Sequence, residues 1–294
     1  MSHPLMPPLD YDRLVPPGFL RPPAVSVLPG AVSYLQVPFA EYHGWRPLRL
    51  DLHLPATGAA PHPVVVYAHG GSFLTGLPSM GPWTTLPSRG IAVASVGYRL
   101  SGEAKFPAPV EDVRAAVAWV SAHAALDRDR IALWGSSAGG YLAALAAVTE
   151  SLAPAPRLLG SRGGLARVRA VVAHYPVTTP ETLRADTPAE TFALEQLLAE
   201  FFAGTDLPTA VAEHLGDPAT APPFLFVHGD ADRRVGAGQS RRLHERLTAA
   251  GVPSRFVLVP GGDHGSPHFE SAERVGEVER FLRQSWTTPK EVAP

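Results

Sequence analysis

The chain has 294 residues, 45% of them hydrophobic and 18% charged, which is enough to build a sizeable core and lies outside the range of disordered sequences. A formal charge of −2, without any block of lysine or arginine, leaves no electrostatic footprint for nucleic acid or an anionic membrane surface. Cysteine is absent, which excludes disulfides and thiolate metal sites.

Residues 1–33 contain Pro4, Pro7, Pro8, Pro16, Pro17, Pro22, Pro23 and Pro29, with no basic stretch leading into an apolar one. They read as a proline-rich arm, extended over the main domain or disordered, on a cytoplasmic protein. No stretch approaches the roughly 18 apolar residues of a membrane span. Residues 34–40 and 47–54 alternate apolar and polar side chains around His43-Gly44-Trp45, the pattern of an antiparallel hairpin. Residues 63–68 and 91–96 are continuous β-branched and small apolar runs, the mark of parallel strands buried on both faces. Between them lies His69-Gly70-Gly71-Ser72-Phe73, whose glycine pair can present free backbone N–H groups.

Residues 110–123 place Val113, Ala116, Val117 and Val120 on one helical face, with Glu111 and Asp112 near the positive end of the helix dipole. A strand over 130–134 then runs into Trp134-Gly135-Ser136-Ser137-Ala138-Gly139-Gly140, followed by an alanine-rich helix over 138–148. A GxSxG tract between strand and helix is a nucleophile elbow, in which the serine sits on a strained turn and larger flanking side chains would collide with neighbouring elements. Another buried strand spans 168–174. From 177 to 222 no strand pattern occurs, and Leu194, Leu197, Leu198, Phe201 and Phe202 recur at helical spacing, so a small helical cap is expected there. Strands at 223–227 and 255–259, with helices at 238–250 and 269–286, complete an α/β domain over 34–287, ahead of a tail at 288–294.

Two further motifs follow strands: His228-Gly229-Asp230-Ala231-Asp232 and Gly261-Gly262-Asp263-His264-Gly265. Ligand and catalytic groups of open α/β sheets gather at the carboxyl ends of strands, so a serine, an acid and a histidine converge there in the order Ser…Asp…His. Ser137 is the candidate nucleophile, His264 its base, and Asp232 or Asp230 the acid that orients the base. Backbone N–H groups of Gly70, Gly71 and Ala138 are the candidate oxyanion donors. Phe73, Leu74 and Tyr141 adjoin these motifs and are candidate pocket residues.

The set HGGSF, YRLS at 98–101, GSSAGGY, HGDADRRV and GGDHG resembles the α/β-hydrolase superfamily over about residues 34–286, and within it carboxylesterases of the hormone-sensitive-lipase-like and feruloyl or acetylxylan esterase-like kinds. The resemblance implies the α/β-hydrolase fold, with a mostly parallel eight-stranded sheet flanked by helices. It also implies ester hydrolysis through an acyl-enzyme by a Ser137–His264–Asp232 triad, and it favours Asp232 over Asp230. Ser72 stands where relatives usually have a third glycine, and Gly236 where they often have proline.

The expected partner is a small ester with a short or medium acyl group. No cofactor and no metal are expected, since His264 and His268 have no third ligand at matching spacing and no HExxH tract occurs. His69 reads as a structural strand-end residue, Asp230 and Asp263 as turn formers, and the Leu194–Phe202 stripe as either core or pocket wall. Two rivals stand beside the esterase. An amide hydrolase, kynurenine-formamidase-like or peptidase-like, would use the same triad, although formamidase relatives usually carry tryptophan where Phe73 stands, and prolyl-oligopeptidase-type enzymes bring a propeller for which this chain lacks the length. A ligand-binding protein on the same fold would have no need to keep serine, acid and histidine together.

Overall fold

A computed structural model of the protein describes residues 24–149, 157–159, 166–183 and 188–287. Most of the proline-rich arm, residues 1–23, and the tail at 288–294 lie outside the described residues. The strands are β1 (Ala31–Glu41), β2 (Leu48–Pro55), β3 (His62–Ala68), β4 (Ala92–Val96), β5 (Leu126–Ser136), β6 (Arg157–Leu158), β7 (Val168–His174), β8 (Phe224–Gly229) and β9 (Ser254–Val259). They form one twisted sheet in the order β6-β1-β2-β4-β3-β5-β7-β8-β9. Pairing is antiparallel from β6 to β4 and parallel from β4 to β9. Eight of these strands are the expected ones. The two-residue β6 adds an edge beside Ala40 and Glu41.

The helices are α1 (Ala108–Ala122), α2 (Ala138–Val148), α3 (Pro188–Phe201), α4 (Gly238–Ala249) and α5 (Ala272–Thr287). Apolar side chains of α1, α2 and α4 share one core with Val64, Val66 and Ala68 of β3, whereas Val275, Val278, Phe281 and Leu282 of α5 pack with Val65 and Tyr67 on the other face. Alternation along β3 therefore feeds two cores. This explains why its sequence reads as an unbroken apolar run.

Among the described residues, the helical insertion after β7 contains the short 3₁₀ turn Pro180–Thr182, helix α3 and the 3₁₀ turn Val211–His214, and Leu183, Leu198, Phe201 and Val211 join it to the core. Asp112 does more than complement the dipole of α1. Its carboxylate is wholly buried and holds Arg99 through the guanidinium at 2.7 Å and the backbone N–H at 2.8 Å. Burial pushes the Asp112 carboxyl up while Arg99 pulls it down, with burial prevailing. Arg99 in turn lies over the Tyr42 ring, 3.7 Å from its centroid, so this pair ties the end of β4 to α1 and the β1–β2 hairpin.

Candidate active site

Ser137 occupies the turn between β5 and α2 with φ 54° and ψ −120°, a region that costs an ordinary residue of order 1–3 kcal/mol. The turn is held from below, because the Ser137 N–H donates to the His174 carbonyl at 2.9 Å. Its glycines are needed for space: a Cβ on Gly135 would strike the Gly139 carbonyl, and one on Gly139 would strike the carbonyls of Ala68 and His69. With β3 and β5 this close to the first turn of α2, the Ser137 hydroxyl is left at the C-terminal edge of the sheet.

His264 lies in the loop after β9. Its Nε2 is 2.9 Å from Ser137 Oγ and its Nδ1 is 2.7 Å from Asp232 Oδ2. A carboxylate only accepts, so Nδ1 carries the hydrogen and Nε2 is free to receive the serine proton. Tyr175, at φ 36° after β7, packs edge-on against the imidazole with ring centroids 4.7 Å apart and fixes its tilt. Asp232 Oδ1 accepts the backbone N–H groups of Arg234 at 3.0 Å and Val235 at 2.9 Å.

His228, a fully buried residue that the sequence reading left without a role, stands behind the acid. Its Nε2 is 2.6 Å from the Val235 carbonyl and 3.2 Å from Asp232 Oδ2, and its Nδ1 is 2.7 Å from Ser240 Oγ. A carbonyl cannot donate, so Nε2 holds the hydrogen and Ser240 donates to Nδ1. Burial alone would raise the Asp232 carboxyl, but the donors from His228, His264 and Val235 hold it well below the usual carboxylate range. Asp230 faces elsewhere, with Oδ1 accepting the Gly261 N–H at 2.7 Å. Asp263 closes its loop onto the His264 N–H at 2.8 Å.

The loop after β3 runs beside the elbow, where a Cβ on Gly70 would stand 3.4 Å from that of Ser137. Gly71, Ser72 and Phe73 have φ of 125°, 55° and 62°, a succession of left-handed residues that turns their N–H groups away from regular pairing. Among the described residues no hydrogen bond uses the N–H of Gly70, Gly71, Ser72 or Ala138. His69 supports this loop from beneath, stacked on Tyr98 with centroids 4.4 Å apart, while the Tyr98 hydroxyl donates to the His69 carbonyl at 2.8 Å.

A cavity of about 450 Å³ opens over Ser137 and His264. Ser72, Phe73 and Ala138 form its floor, Val177, Leu183, Leu194, Leu197 and Leu198 its apolar wall, and Arg233, Arg234 and Asp263 part of its rim. The leucine stripe of α3 thus divides: Leu194, Leu197 and Leu198 face the cavity, while Phe201 is core and stacks on Phe73 at 4.2 Å. Leu74 and Tyr141 are not part of the cavity wall. A turn closed by the Leu74 N–H on the Gly71 carbonyl leaves Leu74 exposed, and Tyr141 is buried beneath Phe73 with its hydroxyl donating to the Thr209 carbonyl at 2.7 Å. The cavity is lined by Ser72 and not by Gly70 or Gly71, the glycines singled out in the sequence, and the positive φ that turns the Ser72 backbone is a tertiary property no local pattern carries. Among the described residues no group of histidines and carboxylates could hold a metal ion, and no helix is long and apolar enough to cross a membrane.

Sheet order, elbow and the imidazole bridging hydroxyl and carboxylate define an α/β-hydrolase fold. Residues 50–247 match the BD-FAE family model, and the chain belongs to that family. Among curated proteins it is similar to carboxylesterase NlhH of Mycobacterium tuberculosis, 32% identical over 78% of this chain and 74% of that protein. It is also similar to esterase LipC of the same organism, 29% identical over 70% of this chain and 53% of that protein. The chain spans about half the length of LipC and of a probable isoprenylcysteine alpha-carbonyl methylesterase from Arabidopsis thaliana that it also matches. A truncated carbohydrate esterase from gut microbiota shares its fold with a TM-score of 0.71 at 24% identity, over 90% of this chain and 100% of that one.

Proposed function

We propose that this protein is a serine carboxylesterase hydrolysing esters of short to medium acyl chains. The observation that carries the reading is the relay from Ser137 Oγ to His264 Nε2, and from His264 Nδ1 to Asp232 Oδ2, at 2.9 and 2.7 Å. In this reading residues 34–287 act as one hydrolase domain and residues 177–222 as its cap. Ser137 Oγ attacks the ester carbonyl carbon as His264 Nε2 takes its proton, and Asp232 stabilises the imidazolium. The oxyanion accepts from Ala138 N–H and from the Gly70–Gly71 loop, to which we add Ser72 because it borders the cavity. Collapse expels the alcohol with the proton held by His264. Water, deprotonated by the same nitrogen, then attacks the acyl-enzyme and releases the acid and free Ser137. Val177, Leu183 and the α3 leucines support an acyl site of moderate length, and esterase activity in relatives such as NlhH agrees with the reaction class.

Turnover of p-nitrophenyl esters from acetate to dodecanoate, with a formyl anilide alongside, tests the reading. We expect the best rates at the short end of the series and a loss of several orders of magnitude in Ser137→Ala, as in other serine hydrolases. Silence on every ester with cleavage of the anilide would transfer the assignment to amide hydrolysis.

A further inference from the structure

Resting on the esterase reading above, we propose that the physiological substrate is an ester that also carries a carboxylate, recognised by Arg234. Four charged or titratable side chains border the cavity among the described residues. Arg233, Arg234, Asp263 and His264 border it, and Asp232 lies behind His264. Asp263 is engaged, with Oδ1 receiving the His264 N–H at 2.8 Å and Oδ2 standing 3.5 Å from the Arg233 guanidinium. Asp232 is taken up by the two imidazoles and two backbone N–H groups. The Arg234 guanidinium makes no hydrogen bond or ion pair among the described residues, and among them its charge has no counterpart in the cavity.

The root of that side chain is fixed. The Arg234 N–H donates to Asp232 Oδ1 at 3.0 Å, which anchors the backbone of the residue to the acid of the relay, and its side chain borders the same cavity as Ser137 and His264. The wall of the same cavity is apolar, formed by Val177, Leu183 and three α3 leucines. An uncompensated charge over a low-dielectric wall focuses its field into the cleft, and on a chain of formal charge −2 this is a local reversal of sign. A guanidinium fork matches a carboxylate in shape. A phosphate dianion would want a second unengaged cation, and Arg233 already faces Asp263. The carboxylate belongs either to the alcohol portion or to the far end of the acyl chain, and these are separable by experiment.

The test compares kcat/KM for anionic esters with that for their neutral methyl-capped partners. For the alcohol side the pair is meta-acetoxybenzoate and methyl meta-acetoxybenzoate; for the acyl side it is phenyl hydrogen suberate and phenyl methyl suberate. Because Arg234 is solvent-exposed, the anionic-to-neutral ratio should fall about two- to fivefold in Arg234→Gln in one of the two pairs, the range of an exposed charge pair. It should fall further in Arg234→Glu, and the preference should fade in wild type as salt rises from about 0.01 to 1 M, where the Debye length shrinks from about 30 to 3 Å. Arg280→Gln on α5, outside the cavity lining, removes the same charge and should leave the ratio where it was. Neutral esters cleaved by wild type with a ratio indifferent to Arg234 in both pairs would overturn the proposal and leave the esterase standing. No turnover of any ester would remove both.

Discussion

The His228 Nε2 hydrogen goes to the Val235 carbonyl at 2.6 Å, and the same nitrogen stands 3.2 Å from the Asp232 oxygen that receives His264 Nδ1. The N–H edge of this imidazole therefore backs the acid that His264 uses from the front, and Ser240 fixes which nitrogen of His228 carries the hydrogen. His228→Gln should lower kcat about two- to tenfold with little change in KM, since an ordinary hydrogen-bonding contact contributes about 0.5–1.5 kcal/mol. Steady-state kinetics on p-nitrophenyl acetate checks this. An unchanged kcat in a folded variant would show that backbone donors alone hold Asp232.

Acid should destabilise the protein in two separate windows. His174 is fully buried with neither ring nitrogen hydrogen-bonded, and burial, then the neighbouring His228 and Arg274, pushes its pKa down to about 3. The unfolded chain takes up that proton from about pH 6.5 downwards while the native state refuses it, so stability falls between about pH 6.5 and 3. His53, His69 and His123, also lowered by burial, act in the same range. Asp232 has the opposite chemistry but the same slope. Held charged in the native state, it contributes stability above its unfolded value near pH 3.9, which is lost as pH falls further. Urea melts across pH should show a shallower decline above pH 4 in His174→Phe, and a shallower one below pH 4 in Asp232→Asn.

Gly139→Ala should be among the most damaging single-methyl insertions available, because the new carbon has only the carbonyls of Ala68 and His69 to move against. A loss of about 1–3 kcal/mol or more is expected, together with most activity as the elbow shifts. Gly102→Ala meets nothing within 4 Å and serves as the control. Equal urea midpoints for the two variants would show that β3 and α2 can separate without cost.

Asp112→Asn should cost about 3–5 kcal/mol, since it strands Arg99 without its buried partner. The exposed pair between Arg46 and Glu103 has a similar distance, 2.7 Å, yet Glu103→Gln should cost about 1 kcal/mol or less. Denaturation midpoints of the two variants measure how far burial, rather than geometry, sets the worth of an ion pair here.

Much of this architecture is written locally. A strand buried on both faces, such as β3 or β8, needs a continuous apolar run, and each of β3, β5, β7, β8 and the edge strand β9 ends where glycines, prolines and polar residues begin, so the strands and the residues at their ends can be read together. What escapes the sequence depends on distant neighbours. Two residues of β6 are too few to show any period. The service of His228 to Asp232 depends on where α4 begins and so where Ser240 comes to lie. Arg99 and Asp112 are each ordinary for their elements until the fold sets one against the other. Leu194, Leu197 and Leu198 share a helix face with Phe201, and only their place along α3 relative to the cleft decides which of them meet the cavity, Leu198 belonging to wall and core alike.

The stacking of Phe73 on Phe201 joins two parts that a designer would wish to vary separately. Phe73 belongs to the loop beside Ser137, and Phe201 ends the helix that shapes the cavity and accepts the Phe106 N–H at 2.9 Å. Transplanting the cap of a relative to change which acyl groups fit would replace one of the two rings and loosen the other. Under the esterase reading, then, a change of acyl fit made through α3 also reaches the loop beside Ser137, and the two are coupled mechanically.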